Sequence, residues 1–418
     1  MANRSGMTRR EILTGAAGAA AAASLGGVAG CFPGVGGKWP DAGPDTAYSC
    51  GCSQPDAAPA ATSSDDRPPV QGASTVVTIQ RADSIDAKGK SLDQPYLDVV
   101  QSMVDTVLSA LAGGAANPWS VILPTVSWCT RIGLKVNTLN SDFPTSPAIV
   151  RAIIKSLVTN TGVCPGSIIV WDRDFEELAA KDQYGVARYT PDHLQGAQLV
   201  GTIQSLKNKD LHGPGYSSET FDIKCGDTPC GEDLRLSRIL TDYTDLTINL
   251  PVLKHHNQSG VTGALKNIYG MINTPGSYHT DKKKNIRLQD ALPMLYNLPQ
   301  IRDSIKLTVV DALKAVTLGD TQDKPDKFPG RIIASLDPVA LDRYAIDLVN
   351  QLRATFKKGP VDEGDPTLLE WLENAYQKGL GAKAYKLVDL SPTLDGGVGS
   401  DDGGGSDDGG GSDDAPSD

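Results

Sequence analysis

Arg131-Ile-Gly-Leu-Lys-Val136, Ser146-Pro147 with the apolar run that follows it to about Val158, and Ser167-Ile-Ile-Val-Trp171 decide the fold. The first and third segments are short, apolar and rich in β-branched residues, as buried strands are. Between them, Ser146 offers an N-cap and Pro147 a first-turn proline, so a helix begins there. A strand, a helix and a second strand in that order form a crossover, which joins parallel neighbours. The same alternation continues outward. Thr75-Val-Val-Thr-Ile-Gln80 reads as a strand. Tyr96 to Leu111 reads as a helix with Val99, Met103, Val107 and Leu111 on one face. Leu246–Leu250, Leu307–Val310 and Arg331–Ala334 read as further strands, and Asp337-Pro338 opens a helix to about Leu352. The expectation is an α/β fold with a largely parallel sheet flanked by helices, carried by residues 74–394.

The two ends differ from this body. Residues 395–418 hold eight Asp and no basic residue, so the net charge of −11 falls to −3 for residues 1–394. A nearly neutral body argues against nucleic acid as the partner. Thr8-Arg9-Arg10-Glu11-Ile12-Leu13, followed by an Ala/Gly run, is a twin-arginine export pattern within a signal peptide spanning residues 1–30. The run closes on Val28-Ala29-Gly30-Cys31, a lipobox, which makes Cys31 the expected acylation site and a membrane the expected partner. Residues 31–73 read as a flexible tether and residues 395–418 as a disordered Gly/Ser/Asp tail. The address is the cell envelope or periplasm. From residue 70 onward, no stretch reaches the roughly 18 unbroken apolar residues of a spanning helix.

Beyond Cys31 six cysteines remain: Cys50, Cys52, Cys129, Cys164, Cys225 and Cys230. An even number in an exported chain favours disulfides, with the pairing left open. No C-x2-C-x2-C run is present, so no ferredoxin-type iron–sulfur cluster is expected.

Chemistry concentrates in residues 250–270: Leu250-Pro-Val-Leu-Lys254-His255-His256-Asn-Gln-Ser-Gly260-Val-Thr262-Gly263-Ala-Leu-Lys266-Asn267-Ile-Tyr-Gly270. Pro251 lacks an N–H, so the strand should end there. Lys254 and His256 then fall beyond a strand's carboxyl end, where open α/β sheets place ligands. Gly260, Gly263 and Gly270 let backbone approach a ligand or a neighbouring element. A helix starting near Val261 would put Thr262 and Lys266 one turn apart, with Asn267 beside them. A Lys in a Gly-rich apolar segment must reach solvent or find a partner. His279 returns to the same cleft, and Asp311, ending its strand, suits an acid, a metal ligand or a helix cap. Such a cluster suits a metal, a phosphate or a carboxylate.

The segment Lys254-x-His256-x3-Gly260-Val-Thr-Gly263-Ala-Leu-Lys266-Asn267-x2-Gly270 closely resembles the family catalogued as domain of unknown function 362. So do Gly133-x-Lys135-Val-Asn137, Val310-Asp311-Ala312 and Ser335-x-Asp337-Pro-Val-Ala-x-Asp342. Many members of that family carry ferredoxin-like cysteine motifs, which this chain lacks, so an electron-transfer role does not carry over. The His256–Lys266 spacing also resembles, more distantly, the active region of nickel-pincer lactate racemases. That likeness implies a nickel-type cofactor contacted by Lys266, with His256 and His279 as ligands or proton carriers.

Two readings follow. In the first, the protein is an envelope-anchored enzyme or metalloprotein acting on a small anion. Its catalytic residues are His256, Lys266 and His279, with His256 and His279 as metal ligands. Lys135, Asn137, Lys254, Gly260, Gly263, Asn267 and Asp311 hold the cofactor or ligand. In the second, it is a non-catalytic lipoprotein that binds a small ligand or a protein partner.

Overall fold

The computed structural model describes residues 67–85, 94–181, 187–225, 228–230, 233–281, 283 and 286–392. The twin-arginine segment, Cys31, Cys50, Cys52 and the acidic tail lie outside the described residues. The first half runs β1 (Val70–Gln80), α1 (Gln94–Leu111), α2 (Trp119–Ile122), β2 (Ile132–Lys135), α3 (Pro147–Thr161), β3 (Ile168–Asp174), α4 (Phe175–Leu178), α5 (Pro191–Leu194) and β4 (Gln198–Ile203). A small hairpin, β5 (Lys224–Cys225) and β6 (Thr228–Pro229), precedes β7 (Leu246–Asn249), β8 (Val252–His256) and β9 (Gly260–Thr262). The chain continues through α6 (Leu288–Tyr296), α7 (Pro299–Arg302), β10 (Ile305–Val316), β11 (Arg331–Ser335), α8 (Pro338–Ala354), α9 (Glu370–Gln377) and β12 (Ala382–Asp389).

A ten-stranded sheet in the order β12-β1-β11-β10-β7-β2-β3-β4, with β8 beside β10 and β9 beside β8, is the centre of the molecule. It is largely parallel. Strand β11 runs antiparallel to both β1 and β10, and β9 runs antiparallel to β8. Alternation along the strands sends side chains to two cores. Val77, Ile168, Val170, Val309 and Ile332 pack with α1 and α3 on one face. Val76, Ile169, Trp171, Val310 and Ile333 pack with α6, α8 and α9 on the other. The helix caps follow the sequence. Ser146 Oγ accepts the Ala148 N–H at the start of α3, and Asp337 Oδ1 accepts those of Val339 and Ala340 at the start of α8.

Three local expectations change. Strand β1 starts at Val70, so residues 70–73 belong to the sheet rather than to the tether. Asp311 does not end its strand. β10 first pairs with β7; past the jog at Pro251 it pairs with β8, and this carries it on to Val316. No α-helix starts near Val261. Asn257–Ser259 turn the chain back on itself, Gly260 takes φ +74°, and β8 and β9 form a hairpin. A positive φ after a three-residue loop suits Gly. Lys266–Met271 then form a 3-10 helix.

Candidate functional site

Strand register assembles the site. Lys135 on β2 lies opposite Trp171 on β3 and Asn249 on β7, so Lys135, Asp172 and Asn249 meet at the carboxyl ends of parallel strands. Lys135 is buried, and its Nζ donates to Asp172 Oδ1 at 2.8 Å and to the Val136 carbonyl at 2.7 Å. The other carboxylate oxygen of Asp172 accepts both the N–H and the hydroxyl of Thr138. This is a paired, hydrogen-bonded charge, which low dielectric tolerates. Gly270 makes room for it, since a Cβ there would lie 2.5 Å from Lys135 Nζ and 2.6 Å from Asp172 Oδ1.

An amide chain links this pair to the hairpin. Asn137 Nδ2 donates to Asn267 Oδ1 at 2.9 Å, and Asn267 Nδ2 donates to Asn249 Oδ1 at 2.7 Å. Asn137 Oδ1 accepts from Lys254 Nζ at 3.1 Å. Residues 254 and 256 alternate to the same face of β8. His255 points the other way and donates from Nδ1 to the Gly319 carbonyl.

Lys266 is the third buried amine beside Lys135 and Lys254, 6% exposed. Its Nζ lies 3.1 Å from His279 Nε2 and 3.3 Å from the centroid of the Tyr269 ring. Among the described residues neither Lys254 nor Lys266 makes an ion pair. Burial pulls the Lys254 ammonium down to about 8, against the attraction of Asp172 and Asp320. Burial, then repulsion from Lys254, holds Lys266 well below the ordinary lysine range. The two imidazoles respond likewise. Burial, then Lys266 and His279, brings His256 to about 2, and burial, then Lys266, brings His279 to about 4. Burial thus moves Lys254, Lys266, His256 and His279 toward their neutral forms, Lys254 least of them.

Hydrogen bonds fix both histidine tautomers. The Gln258 N–H donates to His256 Nδ1 at 3.0 Å, so the neutral ring carries its proton on Nε2. His279 Nδ1 faces the Pro275 carbonyl at 3.0 Å and must donate, which leaves Nε2 as the acceptor for Lys266. The rings stack with centroids 5.6 Å apart and planes 19° from parallel. A metal needs an unprotonated nitrogen from each ring, and His256 offers the site none. Among the described residues no three His, Cys, Asp or Glu side chains group as ligands. The arrangement therefore does not fit the metal pair expected of His256 and His279, nor a nickel centre built on them.

The other expected residues divide. Lys135, Asn137, Lys254, Lys266, Asn267 and His279 converge. Gly260 and Gly263 face the chain itself: a Cβ on Gly260 would meet Leu369 at 2.8 Å, and one on Gly263 would meet Asp342 Oδ1 at 1.9 Å. Asp311 is committed to structure, its oxygens accepting the N–H groups of Ser146 and Leu313. Asp172, Asn249 and Tyr269 escaped the sequence reading. The signal for Asp172 was there, as a carboxylate directly after the buried run Ser167–Trp171.

The sheet and this site define an α/β protein with a buried lysine–histidine centre at the carboxyl ends of parallel strands. The profile of the family described as Domain of unknown function (DUF362) matches residues 132–347, and the chain belongs to that family. No curated protein matches the chain. Among solved structures, one similar chain is a protein from Thermotoga maritima determined as a structural genomics target. It is 12% identical with a TM-score of 0.35, over 61% of this chain and 59% of that one, so the match spans about three fifths of its length.

Proposed function

We propose that this protein is an envelope-anchored enzyme that moves a proton on a small anionic substrate, with Lys266 as the base. The observation that carries this reading is a buried amine that has no carboxylate partner among the described residues and is hydrogen-bonded to a histidine of fixed tautomer. A lysine whose ammonium is disfavoured by burial and by a neighbouring cation is a competent base. In the step, a C–H bond of the substrate breaks, Lys266 Nζ takes the proton, and the electron pair stays on the substrate as an enolate. The ammonium of Lys254 offsets that negative charge. His279 Nε2 accepts a hydrogen bond from the newly charged Lys266, and the Pro275 carbonyl keeps the ring oriented. The reverse step returns a proton drawn from solvent.

Export on the twin-arginine route and a lipid on Cys31 belong to the same proposal, and residues 8–31 support them. The even set of six cysteines beyond Cys31 suits an oxidising compartment. Labelling cells with radioactive palmitate tests the anchor: the wild type should incorporate label and Cys31→Ser should not.

The catalytic test is exchange of substrate hydrogen for deuterium in D2O, followed by NMR over a panel of small carboxylates and keto acids. Wild type should exchange at least one of them, and Lys266→Met should stop the exchange while folding normally. Exchange that survives Lys266→Met would remove Lys266 as the base. Binding without exchange across the panel would favour the non-catalytic ligand-binding lipoprotein instead.

A further inference from the structure

We infer that Thr262 Oγ1 and Lys254 Nζ together seat the carboxylate of a small monocarboxylate. The inference rests on the anion-binding reading above and narrows it to a substrate class. Register makes Lys254 on β8 the direct partner of Thr262 on β9. Directly opposed residues of an antiparallel pair share one face, with Cβ atoms about 4.5–5.5 Å apart. Thr262 is 4% exposed, and among the described residues its hydroxyl has no hydrogen-bond partner. A buried hydroxyl that goes unpaired is uncommon and calls for an explanation. The Lys254 ammonium donates once, to Asn137 Oδ1, and keeps two N–H groups for another acceptor. The same face carries His256, whose Nε2 bears a proton.

The charge balance selects the ligand. Lys135 is neutralised by Asp172, so Lys254 is the cation left to meet an anion at this face. One ammonium and one hydroxyl match one negative charge shared over two oxygens. A phosphate or sulfate dianion would bring a second charge and further oxygens that these groups do not meet. Lys254 and Thr262 would thus hold the carboxylate while Lys266 works on the carbon next to it.

The probe is acetate, titrated against the detergent-solubilised full chain and followed by broadening of its methyl resonance, with inorganic phosphate as the counter-probe. Thr262→Val should fold at least as stably as wild type, because it removes an unpaired hydroxyl, yet bind acetate about 10-fold more weakly. Thr262→Ser restores the hydroxyl and should bind as wild type does. Acetate binding that is lost in Lys254→Gln but unchanged in Thr262→Val would overturn this inference and leave the anion site standing. Tighter binding of phosphate than of acetate would also overturn it. If wild type binds neither anion, the anion reading fails and this inference falls with it.

Discussion

Lys266 Nζ and His279 Nε2 stand 3.1 Å apart inside the protein, an amine and an imidazole joined with no carboxylate among the described residues to fix the charge. Burial and the nearby Lys254 oppose protonation of Lys266. In an NMR titration its ε-methylene resonance should therefore move at a pH well below the ordinary lysine range of about 10.4. Lys254→Met removes the neighbouring charge and should shift that titration upward. A Lys266 titration at the ordinary position would remove the base on which the proposed chemistry depends.

Gly270 is required by what lies over it. A methyl group there would fall 2.5 Å from Lys135 Nζ and 2.6 Å from Asp172 Oδ1, both already held by hydrogen bonds. Gly270→Ala should part this buried ion pair and cost roughly 3 kcal/mol of stability in urea unfolding. In a Lys135→Met background the same change should cost much less, because one of the displaced groups is gone. Equal costs in both backgrounds would show that the pair is not what Gly270 accommodates.

How much of this was legible in the sequence depended on range. The segments around Leu134, Ile169 and Ile248 are short, mostly apolar strands, and Ser146-Pro147 and Asp337-Pro338 cap the helices α3 and α8, so local chemistry sufficed there. Lys266 stood out because a charged residue in an apolar Gly-rich stretch needs a partner, and Lys254 because it follows the strand that Pro251 should end. Strands β4 and β12 and helix α9 went unread. Around Gly260 the competing spacing of Thr262 and Lys266 mimicked a helix, whereas the positive φ of one glycine made a hairpin. The Asp172 partnership with Lys135 depends on which strands become neighbours, which no local pattern records. The lone pairs of His256 and His279 are set by Gln258 and by the Pro275 carbonyl, so ligand chemistry read from residue type alone pointed to a metal.

Asp342 on α8 closes the turn before Lys266. Its oxygens accept the Ala264 N–H at 2.5 Å and the Leu265 N–H at 3.0 Å, and burial raises its carboxyl to about 7. Asp342→Ala leaves two buried N–H groups unpaired and should cost about 3 kcal/mol. The 3-10 helix that carries Lys266 and Asn267 should loosen with it, seen as faster amide hydrogen exchange across residues 264–271. Unchanged exchange there would mean that the turn holds without its carboxylate.

His256 supplies a stability signature in acid. Its folded imidazole protonates near pH 2, whereas an unfolded one protonates near 6.5. Between these values the unfolded chain binds the extra proton, so the stabilisation is present above about pH 6.5 and is lost steadily as the pH falls. At pH 4 the loss from this one ring is roughly 3 kcal/mol. Asp342 and Asp311 work in the opposite direction, since burial raises both carboxyls and the folded state takes up their protons first. Their contribution cancels when wild type is compared with His256→Asn, whose side-chain oxygen replaces Nδ1 as acceptor for the Gln258 N–H. Urea unfolding from pH 7.5 down to pH 4 should show wild type losing about 3 kcal/mol relative to this variant. A gap that stays constant over that range would mean that His256 is not held neutral by its surroundings.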